Sequence, residues 1–175
     1  MCSSAGFFNF RERTSNLESC RTDQIPRQIK VIFNPAAGVA EESPGQLMEV
    51  ISQLQSGGHS PEVYMVGPDC DLSLVVQDAL KRGIHMFVVC GGDGTVESVA
   101  GALVNTTATL GIVPTGTRNN VALSLGIPED ISAAARLLHQ NKPVKIDVGE
   151  VVCCGNSRIF LETCSIGLLS ALFPA

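Results

Sequence analysis

The stretch from Gly91 to Thr95 reads Gly-Gly-Asp-Gly-Thr and follows an apolar, buried-looking run. Glycines allow positive φ and let the backbone approach a bound group closely. A helical pattern begins near Thr95, and the start of a helix offers unpaired N–H groups and the positive end of its dipole. This combination predicts a seat for a phosphate group.

Asp93 stands in the middle of this seat, where its charge would repel a bare phosphate. Mg²⁺ would remove that conflict, because a carboxylate can hold the ion against nucleotide phosphates directly or through water. Asp93 could instead act as a general base on an attacking hydroxyl. The turn could also be a structural connection in which Asp93 binds nearby N–H groups. The sequence leaves all three interpretations open.

Two further loops have a similar composition, namely Asn-Pro-Ala-Ala-Gly at 34–38 and Pro-Thr-Gly-Thr-Arg-Asn-Asn at 114–120. Asn34 serves equally well as the first residue of an Asn-Pro turn or as a ligand contact. Thr117 and Asn119 are stronger candidates, because they stand among several hydrogen-bonding side chains just before a helix-like pattern. Loops that follow parallel strands meet at one edge of the sheet, so we expect the three loops to line one pocket.

The elements that would position these loops alternate between strand and helix. Short runs rich in β-branched residues predict strands at 29–34, 62–66, 84–90 and 110–114. Apolar residues at helical spacing follow them at 47–54, 72–79 and 96–103. This order predicts βαβ units, parallel pairing and a Rossmann-like three-layer α/β fold with helices on both faces of the sheet.

The pattern changes near residue 150. A helix is predicted at 131–140 and strands at 144–149 and 158–167, with a short turn between the strands that indicates an antiparallel hairpin. We therefore expect a flexible leader at 1–27, a nucleotide-binding domain at 28–150, and at 151–175 the truncated start of a β-rich antiparallel domain.

Composition excludes several classes of protein. Hydrophobic residues make up 45% of the 175 residues and charged residues 17%, which indicates a globular chain. A net charge of −5 without a long basic run argues against nucleic acid as a partner. No apolar stretch is long enough to span a membrane. The seven cysteines form no Cys-x-x-Cys pair, so we expect reduced thiols in a cytoplasmic protein.

Other reactive residues offer less. His59 is predicted in a loop and His85 in a buried strand, and neither indicates a metal ligand or a triad member. The loops match neither the P-loop pattern nor the Gly-x-Gly-x-x-Gly dinucleotide fingerprint.

With the three loops in place, residues from 28 to the C-terminus resemble the catalytic region of the diacylglycerol kinase family of lipid kinases, which includes the sphingosine kinases. NAD kinases are more distant relatives. The resemblance rests on five motifs in the family's order, NPAAG, GGDGTVESVAGAL, PTGTRNNVALSLGIP, KIDVG and FLETCSIG.

The resemblance implies ATP-dependent, Mg²⁺-dependent phosphorylation of a lipid hydroxyl such as that of diacylglycerol, with transient docking at a membrane surface. It places Asp93 at the catalytic phosphate and metal centre. It implies nucleotide contacts at Asn34, Gly38, Gly91, Gly92, Asp93, Gly94, Thr95, Gly116, Thr117 and Asn119.

Three positions depart from the family pattern: Ser98 replaces a Glu that would close a capping box with Thr95, Asn120 replaces Asp, and Glu162 replaces Asn. The family completes its site with a C-terminal β-rich domain, so we expect little or no lipid kinase activity from this chain alone. Two alternatives are a non-catalytic nucleotide-binding module that forms a homodimer or recruits a partner through an unpaired strand near 158–165, and an NAD kinase-like enzyme.

Overall fold

A computed structural model of the chain describes residues 27–39, 42–140, 142–153 and 155–162. The elements in chain order are β1 (Arg27–Phe33), α1 (Ser43–Ser56), β2 (His59–Met65), α2 (Leu72–Lys81), β3 (Met86–Gly91), α3 (Asp93–Leu103), β4 (Thr109–Pro114), α4 (Asn120–Ser124), α5 (Ile131–His139), β5 (Gly149–Cys153) and β6 (Asn156–Phe160).

The first four strands form one parallel sheet in the order β2-β1-β3-β4. The chain leaves β1 toward β2 on one side and later leaves β3 toward β4 on the other. Neighbouring strands whose connections diverge leave a crevice at their carboxyl ends, which is where ligands bind in open α/β sheets. The parallel α/β fold predicted from the sequence is confirmed, and its topology places the crevice between β1 and β3.

Two hydrophobic layers cover the sheet. On one face Val76 of α2 and Val99 of α3 pack with Ile32 and Phe87 of the sheet. On the other face Val50 of α1 and its neighbours pack with the alternate strand residues. Successive side chains of a strand point to opposite faces, so β-branched runs buried on both sides are what this sheet requires.

Strand β2 lies at one edge of the sheet and carries Pro61. Proline cannot donate to a β-ladder, and edge strands tolerate it because they have a neighbour on one side. The prediction of a strand at 62–66 was therefore too short at its start, and His59 is the first residue of β2 rather than a loop residue. Its register partner on β1 is Arg27, which was predicted to end the leader.

Next to this edge strand, β1 carries a buried lysine. Lys30 of β1 is 6% exposed, and its Nζ donates to Oε1 of Glu62 at 2.6 Å. Arg82 donates to both carboxylate oxygens of Glu62, at 2.7 and 2.8 Å. These hydrogen bonds, with that from Arg82 first, lower the pKa of Glu62 to about 2. Glu62 therefore neutralises a lysine that would be costly to bury alone.

The imidazole rings of His59 and His139 stack at the amino end of β2, whereas the crevice lies at the carboxyl ends of the strands. The ring centroids are 5.7 Å apart and the ring planes are within 10° of parallel. All four ring nitrogens are buried and have no hydrogen-bond partner among the described residues. Burial, the charge of His139 and the charge of Arg27 lower the pKa of His59. Gly57 makes room for the pair, because a Cβ there would lie 2.0 Å from Nδ1 of His139.

His85 was predicted in a buried strand, and this prediction was wrong. It is exposed and precedes β3, which begins at Met86. The amide of Ile84 donates to the carbonyl of Ala79, so the chain is still closing the end of α2 at that point.

Strands β5 and β6 pair in antiparallel register, which confirms the predicted hairpin. The strand predicted at 144–149 was wrong: residues 142–148 have no regular secondary structure, and β5 begins at Gly149. The alternation at 144, 146 and 148 is real, but within the described ranges no strand pairs with this segment. Strand β6 ends at Phe160, and the rest of the strand predicted at 158–167 falls largely outside the described residues.

None of the helices in the described ranges is long and apolar enough to cross a membrane.

Candidate functional site

The crevice at the carboxyl ends of β1, β3 and β4 brings together the three polar loops singled out in the sequence. The backbone N–H of Asn34 donates to the carbonyl of Cys90, and that of Thr115 donates to the carbonyl of Gly91. These bonds continue the sheet into the loops, so the beginnings of the loops are held by the strands themselves. The expectation that parallel pairing brings them to one edge is confirmed.

Helix α3 begins at Asp93, two residues earlier than predicted. Gly92 takes the N-cap position in an extended conformation, with φ −91° and ψ −176°, and no side chain in the described ranges caps the helix. Its carbonyl accepts from the amides of Thr95 and Val96. Thr95 is therefore not the N-cap residue that a capping box with residue 98 would require, since it lies inside the first turn and is buried. The first amides of α3 remain available to a ligand.

Asp93 makes a hydrogen bond across the crevice. Its Oδ1 accepts from the backbone N–H of Val121, the second residue of α4, at 3.0 Å. One of the two carboxylate oxygens thus caps a helix that belongs to a different loop. Part of the structural interpretation is correct, since Asp93 does bind an N–H group, but that group is 28 residues away in the sequence.

Asn34 and Thr95 contact each other. The Nδ2 of Asn34 donates to Oγ1 of Thr95 at 2.9 Å, and the N–H of Ala36 donates to Oδ1 of Asn34 at 3.0 Å. Asn34 is therefore both the first residue of a turn, which was one of its two interpretations, and a link between β1's loop and α3. The carbonyl of Pro35 accepts from the hydroxyl of Ser43, which ties the same loop to α1.

Two glycines allow the loops to touch. Gly38 has φ +70°, and a Cβ there would lie 2.3 Å from the carbonyl oxygen of Thr115. A Cβ on Gly116 would lie 2.4 Å from Cα of Gly92. Both contacts are to backbone, which cannot move aside as a flexible side chain can. At these positions the absence of a side chain serves loop-to-loop packing.

Gly91 and Gly94 differ from them. A Cβ on Gly91 would contact the side chain of Thr95 at 3.0–3.3 Å, whereas a Cβ on Gly94 would meet none of the other described residues within 4 Å. Gly94 is also exposed. Of the glycines in this motif, Gly94 is the one that leaves open space in front of the first turn of α3.

The loop before α4 closes on itself. Asn119 adopts the left-handed conformation, with φ 51° and ψ 39°. Its Oδ1 accepts from the N–H of Gly116 at 3.0 Å, and its Nδ2 donates to the carbonyl of Gly116 at 2.7 Å. Thr117 lies at the exposed tip of the same loop. Asn119 therefore shapes this turn, while Thr117 is exposed.

Negative charge collects at the start of α3. Burial first, and then the charges of Asp93 and Glu97, raise the pKa of Glu162. The hairpin delivers Glu162 to this place, because Ile159 lies over Gly101 of α3. The charge of Asp93 thus acts on residue 162, where the family resemblance implies an asparagine.

No group of three or more His, Cys, Asp or Glu side chains within the described ranges is arranged to hold a metal ion. A carboxylate such as Asp93, with one oxygen already bonded to Val121, fits a cation that arrives with phosphate ligands of its own. Cys70 and Cys90 are free thiols, and burial raises the pKa of Cys90 to about 12. The side chains of the remaining cysteines lie outside the described residues.

Two hydrogen-bonding groups near the first turn of α3 were not predicted from the sequence. Val121 contributes only its backbone N–H, which no side-chain pattern reveals. Ser98 donates to the carbonyl of Gly94 at 2.8 Å, a bond within one helical turn that a serine four residues later allows. The spacing of Gly94 and Ser98 could have suggested that bond.

The chain is similar to known proteins of one family. The diacylglycerol kinase catalytic domain family matches residues 28–151. The chain is 29% identical over 143 residues to a diacylglycerol kinase of Staphylococcus haemolyticus, covering 81% of this chain and 42% of that protein. It is 30% identical over 149 residues to one of Bacillus subtilis, covering 83% and 48%.

Among solved structures, the chain is similar to a diacylglycerol kinase from Bacillus anthracis. The TM-score is 0.59 at 26% identity, and the match covers 66% of this chain and 44% of the other. The chain thus spans less than half the length of the relatives it matches. Because the family match extends over most of the chain, this protein belongs to the diacylglycerol kinase catalytic domain family.

Proposed function

We propose that this chain binds ATP with Mg²⁺ at the carboxyl edge of its sheet, as the nucleotide-binding part of a lipid kinase. The observation that carries the proposal is the uncapped start of α3, with the open side of Gly94 in front of it and Asp93 beside it. Unpaired amides and the helix dipole favour a phosphate group. The interlocked loops support the proposal, because a site that is already formed loses little entropy on binding.

Asp93 is the residue we assign to Mg²⁺. Its Oδ2 has no hydrogen bond in the described part of the chain, whereas Oδ1 is bonded to Val121. Bound Mg²⁺ would neutralise phosphate charge during transfer. Without the cation, Asp93, Glu97 and Glu162 would repel a triphosphate, so we expect ATP affinity to depend strongly on Mg²⁺.

We propose a lipid hydroxyl, such as that of a diacylglycerol, as the acceptor. This rests on the family and on the names of the relatives, and the chain spans less than half of their length. Asp93 remains our candidate for a catalytic group near the transferred phosphate, through the cation or as a general base. The lipid would be met by transient docking at a membrane surface.

Equilibrium titration with ATP and Mg²⁺ tests the nucleotide site. Gly94→Val places a side chain in open space, so we expect the fold to persist and ATP affinity to fall at least tenfold. Gly45→Ala is the control, because Gly45 stands in the first turn of α1 and is equally open. If both variants bind ATP with equal affinity, the nucleotide site does not lie at the start of α3.

A second candidate is a non-catalytic nucleotide-binding module that associates with another copy or a partner. The observation that favours it is the exposure of four apolar side chains in and before β5, namely Val144, Ile146, Val148 and Val152, at 83%, 46%, 38% and 68%. Exposed apolar side chains are candidates for contact with another protein. Sedimentation equilibrium and a phosphate-transfer assay together distinguish the two candidates. A chain that stays monomeric at all concentrations and transfers phosphate to diacylglycerol would exclude the non-catalytic module. An NAD kinase-like activity is tested by offering NAD in the same transfer assay.

A further inference from the structure

The start of α4 has no local cap. The residue before the helix, Asn119, would ordinarily cap it, but both polar atoms of its side chain are bonded to Gly116. The left-handed backbone of Asn119 also departs from the extended conformation usual for a capping residue. The amide of Val121 consequently needs an acceptor from elsewhere, since Val121 is 2% exposed and water cannot serve it freely.

Asp93 provides that acceptor from the first turn of another helix. Its backbone is fixed as the first residue of α3, and its Oδ1 lies 3.0 Å from the amide of Val121. Beside this bond, a Cβ on Gly116 would lie 2.4 Å from Cα of Gly92, so the backbones of the two loops are in direct contact. The loop before α4 is thus held against the start of α3 by one hydrogen bond and one backbone contact.

We infer that Asp93 is a positioning residue as well as a charge: its carboxylate holds loop 115–119 in place through the N–H of Val121. The two roles need different properties of the side chain. Positioning needs an acceptor oxygen at the right reach, which asparagine also has, whereas attraction of a cation needs the negative charge. Asp93→Asn therefore separates the roles, and Asp93→Ala removes both.

Amide hydrogen exchange resolved at Val121 measures the positioning role without any ligand. We expect exchange of this amide to accelerate about tenfold to a hundredfold in Asp93→Ala, because a hydrogen bond to a charged acceptor is lost. In Asp93→Asn it should stay within about fivefold of the original chain. Should Asp93→Ala unfold, Asp93→Ser replaces it, since its shorter side chain does not reach Val121.

Asp130→Ala is the matched control. Asp130 caps α5 by accepting from the amide of Ala133 at 2.7 Å, so this variant also removes an aspartate cap. Exchange should rise at Ala133 and stay unchanged at Val121. Unchanged exchange at Val121 in Asp93→Ala, or an equal rise there in Asp130→Ala, overturns the inference.

A second arm, which rests on the proposed function, uses ATP in the presence of EDTA. Without the cation, Asp93→Asn should bind ATP at least as tightly as the original chain, because a repulsive charge is gone and the loop is still held. Asp93→Ala should bind it at least fivefold more weakly than Asp93→Asn. Equal affinity of the two variants would contradict a positioning role. No ATP binding by the original chain when Mg²⁺ is present would refute the proposed function and leave the exchange result to decide.

Discussion

Gly116→Ala tests whether the crevice is held together by direct contact between its loops. The added Cβ would lie 2.4 Å from Cα and 2.9 Å from N of Gly92, and 2.8 Å from Oδ1 of Asn119. Ordinary contacts of a Cβ are 3.4–4 Å, so the two loops must separate by about 1 Å. Two of the three obstructing atoms belong to the backbone, and a rotamer change cannot relieve them.

The expected cost lies at the upper end of the range for overpacked sites, about 2–3 kcal/mol in the free energy of unfolding. For a chain of this size that lowers Tm by about 5–10 °C. The cost is steric alone, because Gly116 has no positive φ that an alanine would find strained. The same separation pulls the amide of Val121 away from Asp93, so exchange at Val121 should also accelerate.

Gly94→Ala is the control for this experiment. It adds the same methyl group two residues from Gly92, where the methyl group would meet no other described residue within 4 Å. As an alanine in the first turn of a helix it should be neutral or stabilise by up to about 0.5 kcal/mol. Urea denaturation of both variants and thermal scans give the comparison. An unchanged Tm in Gly116→Ala would refute the packing of these loops, and an equal loss in both variants would show that the contact at Gly116 is not its cause.

Three further predictions concern groups outside the crevice. Glu62→Gln should lower the free energy of unfolding by about 1–2 kcal/mol at pH 7, because buried Lys30 loses its carboxylate partner; this figure is discounted for the partial exposure of Glu62. Because the folded-state pKa of Glu62 is about 2, urea denaturation of the original chain should show this stabilisation disappearing as the pH falls from about 4.5 toward 2. The stability of the original chain should fall as the pH drops below about 6.5, because the folded state lowers the pKa of His59. His139→Phe keeps the stacked ring but removes the charge of His139, so Tm measured at pH 7, 6 and 5 should depend less on pH in this variant. Mass spectrometry should find Cys90 unmodified by iodoacetamide at pH 8 in the folded chain and modified in urea, and labelling of the native protein would contradict its burial.

The sequence predicted the parallel sheet well, because strands buried on both faces leave continuous β-branched runs and the helices between them show a clear apolar period. It erred where tertiary context decides. Pro61 looked like a loop residue and lies in an edge strand, since β2 has a neighbour on one side only. Residues 144–148 alternate as a strand does, yet within the described ranges they have no strand to pair with.

The candidate site was predicted as a set of loops but not as a set of bonds. The alternation of strands and helices predicted that loops 34–38, 91–95 and 114–120 lie at one edge of a parallel sheet, and the structure places them there. It could not show that Asn34 donates to Thr95 or that Asp93 accepts from Val121, because these pairs depend on the distance and direction between loops. The start of α3 was misplaced for a local reason: Gly92 has no side chain with which to mark an N-cap.

The bonds that join the loops also bear on the order of folding. Asn34 and Thr95 are 61 residues apart in the chain, and Asp93 and Val121 are 28 apart. Contacts of such separation form after the loop-closure entropy of the intervening chain has been overcome. We therefore expect β1, β3 and β4 to dock before the crevice closes. A ligand that binds in the crevice would stabilise the fully folded sheet relative to any partly folded form, because only the folded sheet has the complete crevice. Ligand binding therefore measures how much of the domain is fully folded.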